Sequence, residues 1–304
     1  MAANYGMLFA ELGTFLSVQL LALFVGLKMI TVLAGTKFAG VVAGQHIEAL
    51  KKLELMLPPG QSFLSFIIAF AIATSILLLI IKFMKKPIIF KGFFAFLIFF
   101  GSEIVFEAFV PTIFAIGLAL VVVGLRYFVP TVLTHNLGFF LAIAGVSAQL
   151  GLTIPVLAVV GLLVILSVYD YIAVFKTKHM VAMFRGMMAQ GAVMGAIIPR
   201  SPELLLYHSD QAVASKLKHG RANGEPMFMM LGGGDLAFPA VFMISALAQY
   251  GMAQALGVLF GSLAGIFVIH YLFTVKKFKA LPALPPLAVG GIIGFGISLL
   301  PQFL

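Results

Sequence analysis

The sequence predicts an all-α, polytopic membrane protein with nine transmembrane helices. Three observations predict it. Of its 304 residues, 62% are hydrophobic and only 10% are charged, with a mean hydropathy of +1.16. Apolar runs of about 20 residues, enough to cross roughly 30 Å of hydrocarbon as helix, recur from end to end. Lys and Arg collect between those runs, the placement that loops at a membrane surface favour. A membrane β-barrel would show short alternating segments, whereas these runs are continuous.

The spans read as 8–33, 62–83, 89–109, 111–128, 136–152, 154–175, 226–248, 252–273 and 281–301. The first carries Glu11 and follows no basic segment, so it reads as a span rather than a cleaved leader. The third and fourth divide at Pro111, because an apolar run of about 40 residues is too long for one helix and proline suits a hairpin there. The organisation is then helices one to six over 1–175, a cytoplasmic loop over 176–225 and helices seven to nine over 226–304. Together they form one membrane-embedded domain.

The even-numbered loops carry the cations. Lys82, Lys85, Lys86 and Lys91 lie in the second and Arg126 at the edge of the fourth. The sixth holds Lys176, Lys178, Arg185, Arg200, Lys216, Lys218 and Arg221, and the eighth Lys276, Lys277 and Lys279. The first loop's Lys37, Lys51 and Lys52 are partly balanced by Glu48 and Glu54. This bias predicts a multi-pass cell-membrane protein with its N-terminus cytoplasmic and its C-terminus extracellular. It also accounts for the net charge of +9 without a nucleic-acid partner. Cysteine is absent, which rules out disulfides and thiolate metal sites.

Two acids stand out. Asp170 and Asp235 lie inside apolar runs, where a carboxylate at mid-helix costs about 2.5–3.5 kcal/mol on insertion scales. Asp170 lies six residues before Lys176, roughly 9 Å from the cytoplasmic end of its span at 1.5 Å per residue. Asp235 lies nine residues after Pro226, about 13 Å in by the same rise. Antiparallel spans would hold the two nearly level. Level is not yet facing.

Each acid has a distinctive surround. Asp170 follows Tyr169 in Ser167-Val168-Tyr169-Asp170-Tyr171. Asp235 follows Gly232, Gly233 and Gly234, each costing about 1 kcal/mol in a helix relative to alanine. Such a run serves either a close helix contact or local unwinding that admits water and an extended substrate. Before the ninth span comes Pro282-Ala283-Leu284-Pro285-Pro286, read as a helix start that also keeps the backbone extended and poor in donors.

In this order, on the sixth, seventh and ninth of nine spans, these motifs resemble the presenilin and signal peptide peptidase family of intramembrane aspartyl proteases. Tyr169-Asp170, Gly232-Gly233-Gly234-Asp235 and Pro282-Ala283-Leu284 are similar to the family's Tyr-Asp, Gly-x-Gly-Asp and Pro-Ala-Leu. Gly233 departs from the bulkier apolar residue usual there, and the sixth loop is shorter than in animal presenilins, which speaks against autocatalytic cleavage within it. The resemblance implies hydrolysis of peptide bonds in transmembrane substrates by Asp170 and Asp235 with a water nucleophile and no metal or organic cofactor. Tyr169, the three glycines, Pro282, Ala283 and Leu284 would support and position. Two close carboxylates share one proton and titrate as a pair. The partners implied are transmembrane proteins or peptides and the lipid bilayer, with homo-oligomerisation left open.

The sixth loop reads as a Met-rich interfacial half (Met180, Met183, Met187, Met188, Met194) followed by an extended stretch through Leu204–Tyr207 and a polar, mobile end. A substrate strand is expected to pair near Leu204–Tyr207 or Leu281–Leu284. Glu103 and Glu107 share one helix face, as a proton path or an interhelical contact. Glu11, Lys28 and Gln149 read as interhelical contacts and His270 as a packed histidine. No His-Glu-x-x-His occurs, so a zinc protease has no support. Gly145-Val146-Ser147 only superficially suggests a serine nucleophile. The rival function is a proton- or cation-coupled transporter or leak channel, which also places acids in broken membrane helices.

Overall fold

The computed structural model describes residues 5–48, 68, 72, 87–176, 195–209, 221–222, 225–226, 228–274 and 282–302. It is mostly helical. After α1 (Tyr5–Leu33) and the short α2 (Phe38–Val42) come α3 (Pro87–Glu107), α4 (Thr112–Phe128), α5 (Val132–Thr153) and α6 (Val156–Tyr171). Then follow β1 (Gly195–Pro199), β2 (Arg221–Ala222), β3 (Glu225–Pro226) and β4 (Phe228–Gly232), and finally α7 (Gly233–Tyr250), α8 (Met252–Thr274) and α9 (Leu284–Leu299). Among the described residues, four helical stretches are long and apolar enough to cross a membrane: Gly6–Leu33, Val132–Thr153, Val156–Lys176 and Met252–Leu272. Thr112–Phe128 and Leu284–Leu299 are shorter apolar helices. The expected span at 62–83 lies outside the described residues except for helical Ile68 and Ile72.

The helix ends follow local chemistry. Pro111 caps α4, so the long apolar run divides there as expected, and Thr112 Oγ1 donates to Glu107 across the hairpin at 3.0 Å. Thr131 and Thr134 form a reciprocal capping box, which starts α5 at Val132 rather than at the expected 136. Gly251, at φ +106, makes the turn from α7 to α8, a backbone conformation that disfavours any side chain.

Helix α7 is the centre of the bundle. Every residue from Pro239 to Ala248 is buried, and α1, α5, α6, α8 and α9 all pack against it. A helix apolar all round belongs inside. Large side chains on the outer helices stay exposed, Phe128 at 88% and Leu157 at 80%, as a lipid-facing surface requires. At the end of α7 remote from Asp235, Ser245 donates to the Ile154 carbonyl at 2.6 Å. Gln249 accepts from Val156 N–H at 3.1 Å, so the α5–α6 turn is tied to α7 there. Helices α8 and α9 touch backbone to backbone at Gly261 and Gly290.

Two expectations need correction. Residues 226–248 were expected to be one helix, but the chain runs as strand β4 to Gly232 and turns helical only at Gly233. Residues 202–206 were expected to be extended, but Pro202–Leu206 is a 3-10 turn, because proline at the first turn presets a helical φ. The longer extended segments are β1 and β4. They pair antiparallel in register Gly195↔Gly232, Ala196↔Leu231, Ile197↔Met230, Ile198↔Met229 and Pro199↔Phe228. The Met-rich half of this loop and most of its polar end lie outside the described residues.

Candidate active site

Strand β4 delivers Asp235. Gly232 is the N-cap of α7 and Asp235 stands in its first turn. The Gly232 backbone N–H donates to the Asp235 carboxylate, so this acid reaches back from the third helical position to the cap. That is one half of a capping box. A Cβ on Gly232 would stand 2.9 Å from Asp235 Oδ2, so the glycine makes room for the carboxylate. The expected unwinding of a helix by three glycines is thus replaced by a strand-to-helix junction.

Asp170 comes from the other direction. It lies near the C-terminal end of α6, 7% exposed, just before a single π-turn over Ile172–Lys176. The Leu284 backbone N–H donates to its carboxylate. The proline run explains why that donor is free. Pro285 and Pro286 carry no N–H, and Leu287 N–H is engaged with the Ala283 carbonyl at 3.4 Å. Leu284 is left as the first-turn donor of α9, and it points at Asp170. The run is not extended throughout, since Leu284 already begins helix α9.

Both carboxylates therefore rest on N–H groups at helix N-termini, where the helix dipole favours negative charge. They lie near enough for the charge of one to bear on the other. The structure brings together Asp170, Asp235, Gly232 and Leu284, and Pro282, two residues before Leu284, is buried. Tyr169 is 62% exposed and turns away from the buried face that Asp170 occupies. Gly234 is exposed and has the Phe238 ring 3.5 Å from where its Cβ would be.

The sequence profile of the family described as signal-peptide peptidase, presenilin aspartyl protease matches residues 15–302. The chain belongs to this family. It is an aspartic intramembrane protease. Two solved structures of a presenilin family intramembrane aspartate protease, in different crystal forms, share its fold. One is 24% identical, with 97% of each chain covered and a TM-score of 0.58. The other is 22% identical, covering 95% of this chain and 96% of that one, at 0.56. No curated protein matches significantly.

Several polar residues of the protease were not legible as site residues. Pro239 lacks an N–H, so the Asp235 carbonyl loses its usual helical donor. The next two carbonyls receive side-chain donors from neighbouring helices. Gln19 Nε2 of α1 reaches Leu236 O at 2.9 Å, and Ser147 Oγ of α5 reaches Ala237 O at 3.3 Å. Ser147 is thus a buried structural donor. Asn136 of α5 brackets the Ile197 backbone, Nδ2 donating to its carbonyl at 2.7 Å and Oδ1 accepting its N–H at 2.9 Å. His135 Nε2 meets the Gly195 carbonyl at 2.9 Å. A polar residue within an apolar run was the available signal for Gln19, whereas Asn136 follows Thr134 and His135 at a helix start and carries no such mark. Glu11 faces His270 at 3.4 Å across α1 and α8, an interhelical contact as expected, whereas Gln149 is exposed. Among the described residues no His, Asp and Glu cluster could hold a metal.

Proposed function

We propose that this protease is an endopeptidase that cuts transmembrane segments with Asp170 and Asp235 sharing one proton around a water molecule. The observation that supports the reading is the approach of two carboxylates from adjacent helices, each held by a backbone N–H. The ionised aspartate takes a proton from water as the water oxygen bonds to the scissile carbonyl carbon. The protonated aspartate gives its proton to the carbonyl oxygen, forming a neutral gem-diol. As the C–N bond breaks, one diol hydroxyl proton passes to the aspartate that is now ionised, and the amine nitrogen takes the proton that the other aspartate had accepted from water, so the pair again holds one proton. No charge is left stranded.

The sheet supports a way to present the substrate. Ile197 turns its N–H and C=O toward Asn136, so its register partner Met230 turns its own away from β1, as antiparallel pairs require. The outer edge of β4, which ends at Gly232 three residues before Asp235, is therefore where an unwound substrate would add as a strand. This replaces the Leu204–Tyr207 expectation, because the Tyr207 carbonyl already accepts Val132 N–H at 3.0 Å. The cation bias supports nine spans, a cytoplasmic N-terminus and a cytoplasmic sixth loop, which puts the site on the cytoplasmic side. Family membership disfavours the transporter reading.

Purified protein mixed with a model transmembrane substrate tests this. Peptide products that vanish in both Asp170→Ala and Asp235→Ala are expected. Intact substrate with wild-type protein, together with Asp-dependent cation flux in liposomes, would restore the transporter.

A further inference from the structure

The β1 strand of the β1–β4 pair is held from outside by side chains that the hydrolytic mechanism does not use. The outward backbone groups of β1 include the Gly195 carbonyl, taken by His135, and both groups of Ile197, taken by Asn136. Pro199, the next outward residue, has no N–H to offer. An amide side chain that accepts and donates to one residue imitates a neighbouring strand, and it occupies the edge as a strand would.

This edge is built rigidly. His135 is fully buried and Asn136 is 7% exposed. Arg126 Nε donates to His135 Nδ1 at 3.2 Å, which leaves Nε2 as the protonated nitrogen that donates to Gly195. The imidazole stacks on Phe94 with centroids 5.3 Å apart and on Phe139 at 6.1 Å. The chain beyond β1 is anchored to the same helix start. Val132 N–H donates to the Tyr207 carbonyl at 3.0 Å, and Ser209 N–H to the Pro130 carbonyl at 2.8 Å.

We propose that His135 and Asn136 are positioning residues: they seal the outer edge of β1 and fix its register, so that a substrate strand adds only beside β4 and presents one bond to Asp235. The proposal rests on the reading of Asp170 and Asp235 as the catalytic pair. Its physical content is register. Gly195 pairs with Gly232, the cap of the helix that carries Asp235. A slip of one residue moves a strand by about 3.3 Å and reverses which side chains face the core. Catalysis does not tolerate a displacement of that size.

The experiment maps cut positions in one model transmembrane substrate by mass spectrometry, alongside kcat, KM and thermal melting in detergent. Asn136→Leu removes both bonds to Ile197. It is expected to lower kcat/KM at least tenfold and to spread the products over neighbouring bonds. His135→Gln, whose amide can restore a donor to Gly195, is expected to keep the wild-type cut. A folded Asn136→Leu protein that cuts at the wild-type bond alone, at the wild-type rate, overturns the proposal. If that variant does not fold, Asn136→Ala decides. It also removes both bonds to Ile197 but with a smaller side chain, so an unchanged cut position counts equally against the clamp. Asp170→Asn and Asp235→Asn run in parallel. Products that persist in them sink the catalytic pair, whereas unchanged cuts in the Asn136 variants with inactive aspartate variants sink the clamp alone.

Discussion

The Asp235 carboxylate lies so close over Gly232 that a methyl group on that glycine would sit 2.9 Å from Oδ2. The backbone at Gly232, with φ −63 and ψ 147, suits any residue. Gly232→Ala therefore changes the acid and spares the chain. We expect thermal stability to hold or rise slightly, since alanine has less unfolded-state entropy to lose. The kcat should fall by roughly 100-fold as the carboxylate is displaced. Unchanged kcat with a folded protein would show that the carboxylate has another productive position.

Gln19 acts one helix away. Its amide donates to the Leu236 carbonyl, in the turn where Pro239 withholds a helical donor. Gln19→Leu removes the donor while keeping a similar volume. The expected cost in stability is about 0.6 kcal/mol, typical of a hydrogen bond between membrane helices. The expected effect on turnover is larger, because the turn carries Asp235. Steady-state kinetics should show kcat reduced with KM little changed. A raised KM with intact kcat would instead place Gln19 in substrate binding.

The two methionines of β4 should respond oppositely to proline. Met230 directs its N–H to the open edge, whereas Met229 pairs inward with Ile198. Proline is tolerated where a strand N–H faces outward. Met230→Pro should fold and raise KM by about 2- to 10-fold, the worth of one neutral hydrogen bond at 0.5–1.5 kcal/mol. Met229→Pro should break the β1–β4 pairing and abolish cleavage. Equal activity in both variants would remove β4 from substrate binding.

Gly261 and Gly290 bring α8 and α9 into backbone contact. Gly261→Leu forces them apart at an expected cost of about 1–3 kcal/mol or more. Because α9 supplies the Leu284 N–H to Asp170, activity should fall together with the melting temperature. A stable variant with full activity would mean that α9 can shift without disturbing Asp170.

Much of the proposed site was legible in the chain itself. An acid in an apolar run is costly, and that penalty marks Asp170 and Asp235 without any knowledge of the fold. The Pro111 break was readable because one residue carries the physics. The start of α7 was not. Phe228–Gly232 is as apolar as the helix that follows, and an apolar run has no period by which strand and helix can be told apart. Pairing with a segment about 30 residues away in sequence makes it a strand.

By its composition, charge and short motifs, then, the sequence determined a helical membrane protein of this family and singled out two acids in apolar runs. Those properties depend on the free energy of single residues in hydrocarbon. Only tertiary structure decided that β4 leads into Asp235, that Leu284 serves Asp170, and that Gln19, His135, Asn136 and Ser147 bond to backbone near or leading into the site. Each of these is a contact between distant segments. Its direction depends on which face of a helix or edge of a strand is turned inward, and packing settles that.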